Sequence, residues 1–295
     1  MALAVLFSTD AVAQSEWLNG PKTYIETRWK AGLDHYGVHF FSILMLAHHF
    51  GHYYSVGTFL SAIYYFQWPH ELFRYKIQDI NAPRPSSEKM WRLMKQVWVN
   101  QFFVGVPLGL MCTEAYAWRG MFEQSLPSLP LLVAQLFGLV VFEEIGFYYS
   151  HRLLHHPLFY APIHKQHHEW TSPLAWCCIY AHPVEYVVSN LLPIMVGPLL
   201  LGMHPLSALL WYAIAFQSTM NSHSGLHLPG ALSPEEHDYH HLKFTENFGV
   251  IGVLDWMHGT DEKWRKSAQY AHAHVSFSLE PLVHKNWPTT RAKAN

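Results

Sequence analysis

The chain has 295 residues, of which 50% are hydrophobic, 16% aromatic and only 14% charged, with a formal net charge of −2. A soluble globular domain carries about 25% charged residues, so this composition excludes an ordinary soluble domain and points to a membrane. Near-neutral charge with no basic stripe excludes nucleic acid as a partner, and three cysteines (Cys112, Cys177 and Cys178) without a CxxC pair imply no disulfide framework.

Near the start, Ala11-Val12-Ala13-Gln14 loosely resembles a signal cleavage site. No basic region precedes it and Asp10 interrupts the apolar stretch, so no cleavage is expected. Residues 38–67 are apolar but carry His39, His48, His49 and His52, which fits either a single span or a helix lying in the interface. These histidines, with His35, are expected to be interfacial or packing residues. Pro83 and Pro85 mark 81–87 as a surface turn. Four apolar stretches follow, 97–118, 129–149, 186–201 and 205–220, each near the length of about 20 residues that a bilayer needs. The short links 119–128 and 202–204 pair them into two transmembrane hairpins. Pro193 and Pro198 are expected to kink the third span. The polar end, 288–295, is expected to fray.

Basic residues set the topology. Arg74, Lys76, Arg84, Lys89, Arg92 and Lys95 precede the first hairpin, whereas its inner link holds only Arg119. By the positive-inside tendency the basic side is cytosolic, and each hairpin leaves from that side and returns to it.

Four histidine clusters sit where the hairpins return. His151 and His155 follow the second span, with His164, His167 and His168 close behind. His223 and His227 follow the fourth span, then His237, His240 and His241. Spacings of three and four place imidazoles on one helical face. The hairpins bring all ten to one membrane face, which supports a single shared site. Imidazole without thiolate suits iron, zinc, copper or nickel. Ten ligands are too many for one ion, and a structural zinc site would usually recruit cysteine, so two ions sharing the ten is the simplest arrangement. Glu144 shares a helical face with His151 and His155, and Asp238 lies between ligands. Either could accept a hydrogen bond from a ligand imidazole. His182, with Glu185 one turn on, either binds metal or, preferably, orients a ligand.

These residues carry a resemblance. Phe142-Glu143-Glu144 through His151-Arg152-Leu153-Leu154-His155-His156 resembles the first histidine box of the fatty acid hydroxylase superfamily. The second box is matched by Ile163-His164-Lys165-Gln166-His167-His168-Glu169, and the intermediate motif by Tyr180-Ala181-His182-Pro183-Val184-Glu185. His223-Ser224-Gly225 and His237-Asp238-Tyr239-His240-His241 are similar to the remaining ligand motifs. Asn247-Phe248-Gly249 and Gly259-Thr260-Asp261 are similar to the segments after them. The ending is most like the C-4 methylsterol oxidases and the fatty acid hydroxylase domain-containing proteins allied to them. The resemblance implies a non-haem di-iron oxygenase of the endoplasmic reticulum membrane with its site facing the cytosol. It implies two iron ions (zinc as a substitute), O2, and electrons from NAD(P)H through a separate donor such as cytochrome b5 or a cytochrome b5 reductase-type protein. The substrate would be a membrane lipid, a sterol oxidised at its C-4 methyl group before a fatty-acyl lipid or sphingolipid, or a sterol undergoing desaturation. This chain has no HPGG, GxGxxG or Walker motif, so haem and nucleotide should bind elsewhere, and no side chain beyond the metal ligands need act as base or nucleophile.

The expected fold is therefore an all-α membrane protein: two helical hairpins with a cytosolic helical cap holding a histidine-rich di-metal site. Residues 1–96 form the N-terminal region, 97–275 the catalytic domain and 276–295 a tail. Rivals are a metal transporter, which would need ionisable ligands inside its spans, a non-catalytic scaffold, and an aldehyde-processing relative that shares the boxes.

Overall fold

The computed structural model describes residues 20–79 and 83–282. The cleavage-like Ala11–Gln14 stretch and the terminal 288–295 lie outside them, as does part of the 81–87 turn. Among the described residues the chain is helical, and its only β pairing is an isolated bridge between Lys76 and Leu226.

Long helices form the body. α1 is Pro21–Tyr36. α2 begins as His39–His52, passes through a π turn at Tyr53–Gly57 and continues as Thr58–Phe66. α3 runs as Ser87–Trp98, a π turn at Val99–Gly105, and Val106–Trp118. α4 is Leu129–Leu154. α5 is Pro183–Leu201 with a π turn at Tyr186–Leu191, and α6 is Pro205–Ser222. Local chemistry sets several ends. Ser86 caps α3 by accepting from the Lys89 amide at 3.2 Å, and proline opens α1, α5 and α6, where its missing N–H costs nothing. Gly202 ends α5 at a φ of 57°, a left-handed turn that favours glycine.

α4 and α5 are long and apolar enough to cross a membrane. Leu131, Val133, Phe137, Val141 and Ile145 stay exposed along α4, a contiguous apolar surface that water would penalise and lipid would not. The expected 38–67 segment is one helix interrupted by its π turn, and the links expected at 119–128 and 202–204 do connect consecutive helices. Inside the bundle, Trp29, Phe41, Tyr116, Leu139 and Trp211 form one buried cluster. Ser42 pairs with Thr113 at 2.8 Å and Tyr116 with Tyr212 at 2.7 Å, so these buried hydroxyls are satisfied.

A cap of short elements covers one end: a 3-10 turn at His164–Glu169, another at Ala175–Ile179, α7 at Glu235–Lys243 and α8 at Val253–His258. Asn100, in the π turn of α3, donates to the carbonyls of Ile179 (2.9 Å) and Ala181 (2.8 Å). That clamp ties cap to bundle. A π turn re-aims side chains by inserting one extra residue, and here it presents a buried amide to the cap.

Candidate metal centre

The cap gathers nine imidazoles into two groups. His151, His155, His164, His168 and His240 form one; His167, His223, His237 and His241 form the other. His151 and His155 come from the end of α4, and His223 caps α6. The 3-10 turn divides its three histidines between the groups, and α7 does the same with His240 and with His237 and His241. The two groups adjoin, with the rings of His168 and His241 4.8 Å apart.

The ring nitrogens converge. In the first group, Nε2 of His164 lies 2.9 Å from Nε2 of both His155 and His168, and Nε2 of His240 lies 3.2 Å from both. In the second, Nε2 of His237 lies 3.0 Å from that of His223 and 3.1 Å from that of His241, while His167 and His223 are 3.4 Å apart. Nitrogens held about 2.1 Å from a common ion stand about 3.0 Å apart at right angles and about 3.4 Å apart at the tetrahedral angle. The spacings, 2.9–3.4 Å, match that interval to within 0.1 Å.

The opposite ring nitrogens fix the tautomers. Nδ1 donates to a backbone carbonyl in His151 (Phe248, 2.9 Å), His167 (Tyr180, 3.0 Å), His223 (Thr219, 2.8 Å) and His240 (Glu246, 2.6 Å). Nδ1 of His164 stands 2.9 Å from Oε1 of Glu185. A neutral imidazole that donates from Nδ1 has only a lone pair on Nε2. His167 and His223 thus face each other with no proton to share, an arrangement that a cation between them resolves. Burial, reinforced by neighbouring imidazoles, lowers His155 and His223 to about 3; burial alone lowers His167 to about 4. Near neutral pH they are unprotonated, the form that binds metal. The donor set therefore fits two metal ions, with five and four imidazoles.

The other expected site residues are placed differently. His227 belongs to neither group; its Nδ1 pairs with Glu235 at 2.8 Å and its buried Nε2 has no hydrogen-bond partner among the described residues. Glu144 bonds no ligand imidazole. Its carboxylate accepts from the amides of Val250, Ile251 and Leu254 at 2.7–2.9 Å, an acceptor load that suits a buried carboxylate better than one imidazole does. Asp238 pairs with the amide of Gln78. His182 caps the start of α5, accepting from the Val184 amide at 3.2 Å. The acidic partner of a ligand is instead Glu185, which the sequence suggested only as a support for His182. The backbone carbonyls that orient four ligands carry no sequence signal at all.

Glu144 still serves the centre from one step away. With Asp255, which accepts from the Phe248 and Gly249 amides at 2.8 and 2.7 Å, it holds the loop whose carbonyls at Glu246 and Phe248 orient His240 and His151. A Cβ on Gly249 would lie 2.8 Å from each of the two carboxylates, so only glycine fits there.

A cavity of about 470 Å³ begins at His151, His164, His167, His223 and His237 and continues between the helices past Met45, Val106, Ile194 and Phe216. Its lining combines five of the grouped imidazoles with apolar side chains and with polar ones such as Glu143, Gln101, Ser189 and Asn190, a mixture usual for a ligand pocket.

A family profile described as Fatty acid hydroxylase matches residues 136–260. The chain is 41% identical over 215 residues to Fatty acid hydroxylase domain-containing protein 2 of Homo sapiens, covering 72% of this chain and 65% of that relative, just under two thirds of its length. It is 36% identical to Fatty acid hydroxylase ahd1 of Mycosarcoma maydis, over 67% of this chain and 51% of that one. It is 34% identical to Methylsterol monooxygenase 2-2 of Arabidopsis thaliana, over 66% of this chain and 77% of that one. No solved structure matches.

Proposed function

The chain belongs to the fatty acid hydroxylase family, and from that premise we propose that it is a membrane-bound di-iron oxygenase that oxidises a C–H bond of a lipid. The observation that carries this reading is the pair of imidazole groups whose lone pairs converge at metal-ligand spacing. The apolar cavity that opens directly onto them supports it.

His151, His155, His164, His168 and His240 would hold one ion, and His167, His223, His237 and His241 the other. When bound, iron supplies the activation of O2 for insertion into an unactivated C–H bond. One oxygen atom enters the lipid and the other leaves as water, consuming two electrons and two protons. The electrons would come from NAD(P)H through a separate donor of the cytochrome b5 or cytochrome b5 reductase type. The chain's own residues bind and orient. The cavity walls align the lipid and exclude water, and the carbonyls of Phe248, Tyr180, Thr219 and Glu246 hold the imidazoles in the tautomer that leaves Nε2 free.

The chain would cross the endoplasmic reticulum membrane as two hairpins, α3–α4 and α5–α6, with the cap in the cytosol. The similarity to Methylsterol monooxygenase 2-2 makes a sterol the first substrate class to test and the C-4 methyl group the first position, with acyl lipids and sphingolipids next. The test is a comparison of membrane lipids from a host lacking the activity, with and without the chain. An oxidised lipid that appears with the intact chain and disappears with His237→Ala, at matched protein level, supports the reading. No lipid differing between the two removes it.

A further inference from the structure

The lining of the cavity shows where it opens. Five of its residues are exposed: Leu232, Val250, Ile251, His274 and Val275. The others, from the histidines down to Gly109 and Tyr212, are buried or half-buried. Local contacts gather the five. The Gly230 amide donates to the Ser276 carbonyl at 2.7 Å, which lays the 273–279 segment beside the loop that carries Leu232. Arg74 pins the same segment again, donating to the Leu279 carbonyl at 2.6 Å. A Cβ on Gly252 would meet Oε1 of Glu236 at 2.8 Å, so the Val250–Ile251 turn lies against the start of α7. The mouth is a gap between that turn and the 273–275 segment, with Leu232 at its edge. Four of its five residues are apolar.

The level of the mouth follows from α4. A hydrocarbon core of about 30 Å takes about 20 helical residues at 1.5 Å each. Counted from Leu129, where α4 begins, that length ends at Tyr149. The amides of Val250 and Ile251 donate to the Glu144 carboxylate at 2.7 and 2.9 Å. Glu144 lies about 7–8 Å to the membrane side of Tyr149, five residues along the helix. The mouth therefore opens within the thickness of the bilayer, not into the water above it.

α8, which follows the turn, fits that boundary. The Tyr149 hydroxyl is 3.0 Å from Nε2 of His258, whose ring stacks on Tyr148 at 5.2 Å. Leu254 and Asp255 are buried, while Val253, Trp256 and Met257 are exposed. Spacings of three and four put these last three on one helical face. Together they continue the exposed apolar surface of α4 at Val141 and Ile145. Past the left-handed turn at Gly259 (φ 67°) the exposed side chains become Glu262, Lys263, Arg265 and Lys266. Apolar side chains giving way to charged ones mark the edge of the bilayer, where tryptophan is favoured.

Resting on the lipid-oxygenase reading, we propose that the gap between Val250–Ile251 and Ala273–Val275 is the door through which a single lipid passes sideways from the cap-side leaflet to the metal ligands, and that Val253, Trp256 and Met257 seat this door in the leaflet. An apolar rim below the bilayer surface spares the lipid a passage through water. It also turns away water-soluble molecules, which would have to shed their hydration to enter.

The test uses the full-length, metal-loaded chain in nanodiscs of phosphatidylcholine and cholesterol. Cys112, Cys177 and Cys178 are buried, so a nitroxide label goes to one introduced cysteine: Ile251→Cys, Met257→Cys or, as the water-side comparison, Lys266→Cys. Dissolved oxygen, which concentrates in lipid, should relax the labels at 251 and 257 more than a water-soluble nickel chelate does, and the order should reverse at 266. Nickel dominating at 251 and 257 puts the mouth in water and overturns the proposal. A label at 257 shielded from both reagents puts a protein surface there and overturns it too. Passage is read with a diazirine-bearing cholesterol in the same nanodiscs. In the intact chain it should form adducts on the cavity wall near Ile194 and Phe216. Ile251→Trp combined with Val275→Trp, which fills the mouth, should lose most of these adducts while keeping its metal and its adducts near Phe137 on the outer face of α4. Unchanged cavity adducts in that variant, or none in the intact chain, overturn passage through this door. Neither readout needs turnover, so a mouth that lies in lipid, in a chain that oxidises no lipid, removes the oxygenase reading and leaves the membrane seat standing.

Discussion

Nδ1 of His164 and Oε1 of Glu185 stand 2.9 Å apart, with both side chains withdrawn from solvent. Glu185 rises from the start of α5 to the 3-10 turn that carries three ligands, so it fixes the His164 ring from a different part of the chain. Glu185→Ala should weaken retention of the first-group metal by about 10–100-fold, as loss of a ligand's carboxylate partner does elsewhere. Glu185→Gln should lose less, because it keeps an oxygen on a side chain of the same size beside Nδ1 of His164. Metal remaining after challenge with a graded chelator measures this, and a chelation curve unchanged in Glu185→Ala would contradict the role.

Metal content follows from the two groups. The purified chain should carry about two ions, and each of the nine grouped histidines should be needed for lipid oxidation. His227 is the contrast. Because it pairs with Glu235 outside both groups, His227→Ala should retain about two ions and lose about 10-fold in activity at most. Loss of one ion in that variant would return His227 to the ligand set.

Gly249→Ala places a methyl 2.8 Å from the carboxylates of both Glu144 and Asp255. The loop must then move, and with it the carbonyls that orient His151 and His240. The expected cost is about 1–3 kcal/mol of stability, seen as a lower thermal midpoint, together with lowered occupancy of the first-group metal. A midpoint and metal content equal to those of the parent chain would show that the loop has room to yield.

Acid should destabilise the metal-free protein. His155, His167 and His223 are lowered to about 3, 4 and 3 in the fold, against about 6.5 when unfolded. Between those values the unfolded chain binds more protons, so stability is complete above about pH 6.5 and falls as pH drops toward 4. Thermal unfolding of chelator-treated protein at pH 7.5 and 5.5 measures it; a higher midpoint at pH 5.5 would reverse the sign.

A tag after Arg119, between α3 and α4, and another after Lys165, within the cap, should report opposite membrane faces, the second cytosolic. If both report the same side, α4 does not cross.

Much of the site was legible because ligand spacing is written locally. Histidines four apart on α4 and three to four apart on α7 must share a face whatever surrounds them. The helices were legible for the same reason, since long apolar runs between short polar links leave few alternatives. What orients the ligands was not. Glu144 looked like an imidazole partner because it shares a helical face with His151, yet three amides of a loop more than 100 residues away claim its carboxylate. His182 looked like part of the centre and proved a helix cap, which its place one residue before Pro183 allows. His48 and His49, outside the boxes, gave no sign that α2 would bring them to the cavity, because that depends on how helices pack across the bundle.

Each imidazole group draws on both the 3-10 turn at His164–Glu169 and α7, so neither group is complete until the chain has been made as far as His240 and His241. Earlier in synthesis the growing protein offers only part of a coordination sphere. A metal that fills these groups would therefore join late in synthesis, after the helices that carry the histidines have been made. A ribosome stalled before His237 would release a membrane-embedded product that contains the first two histidine boxes and completes neither site.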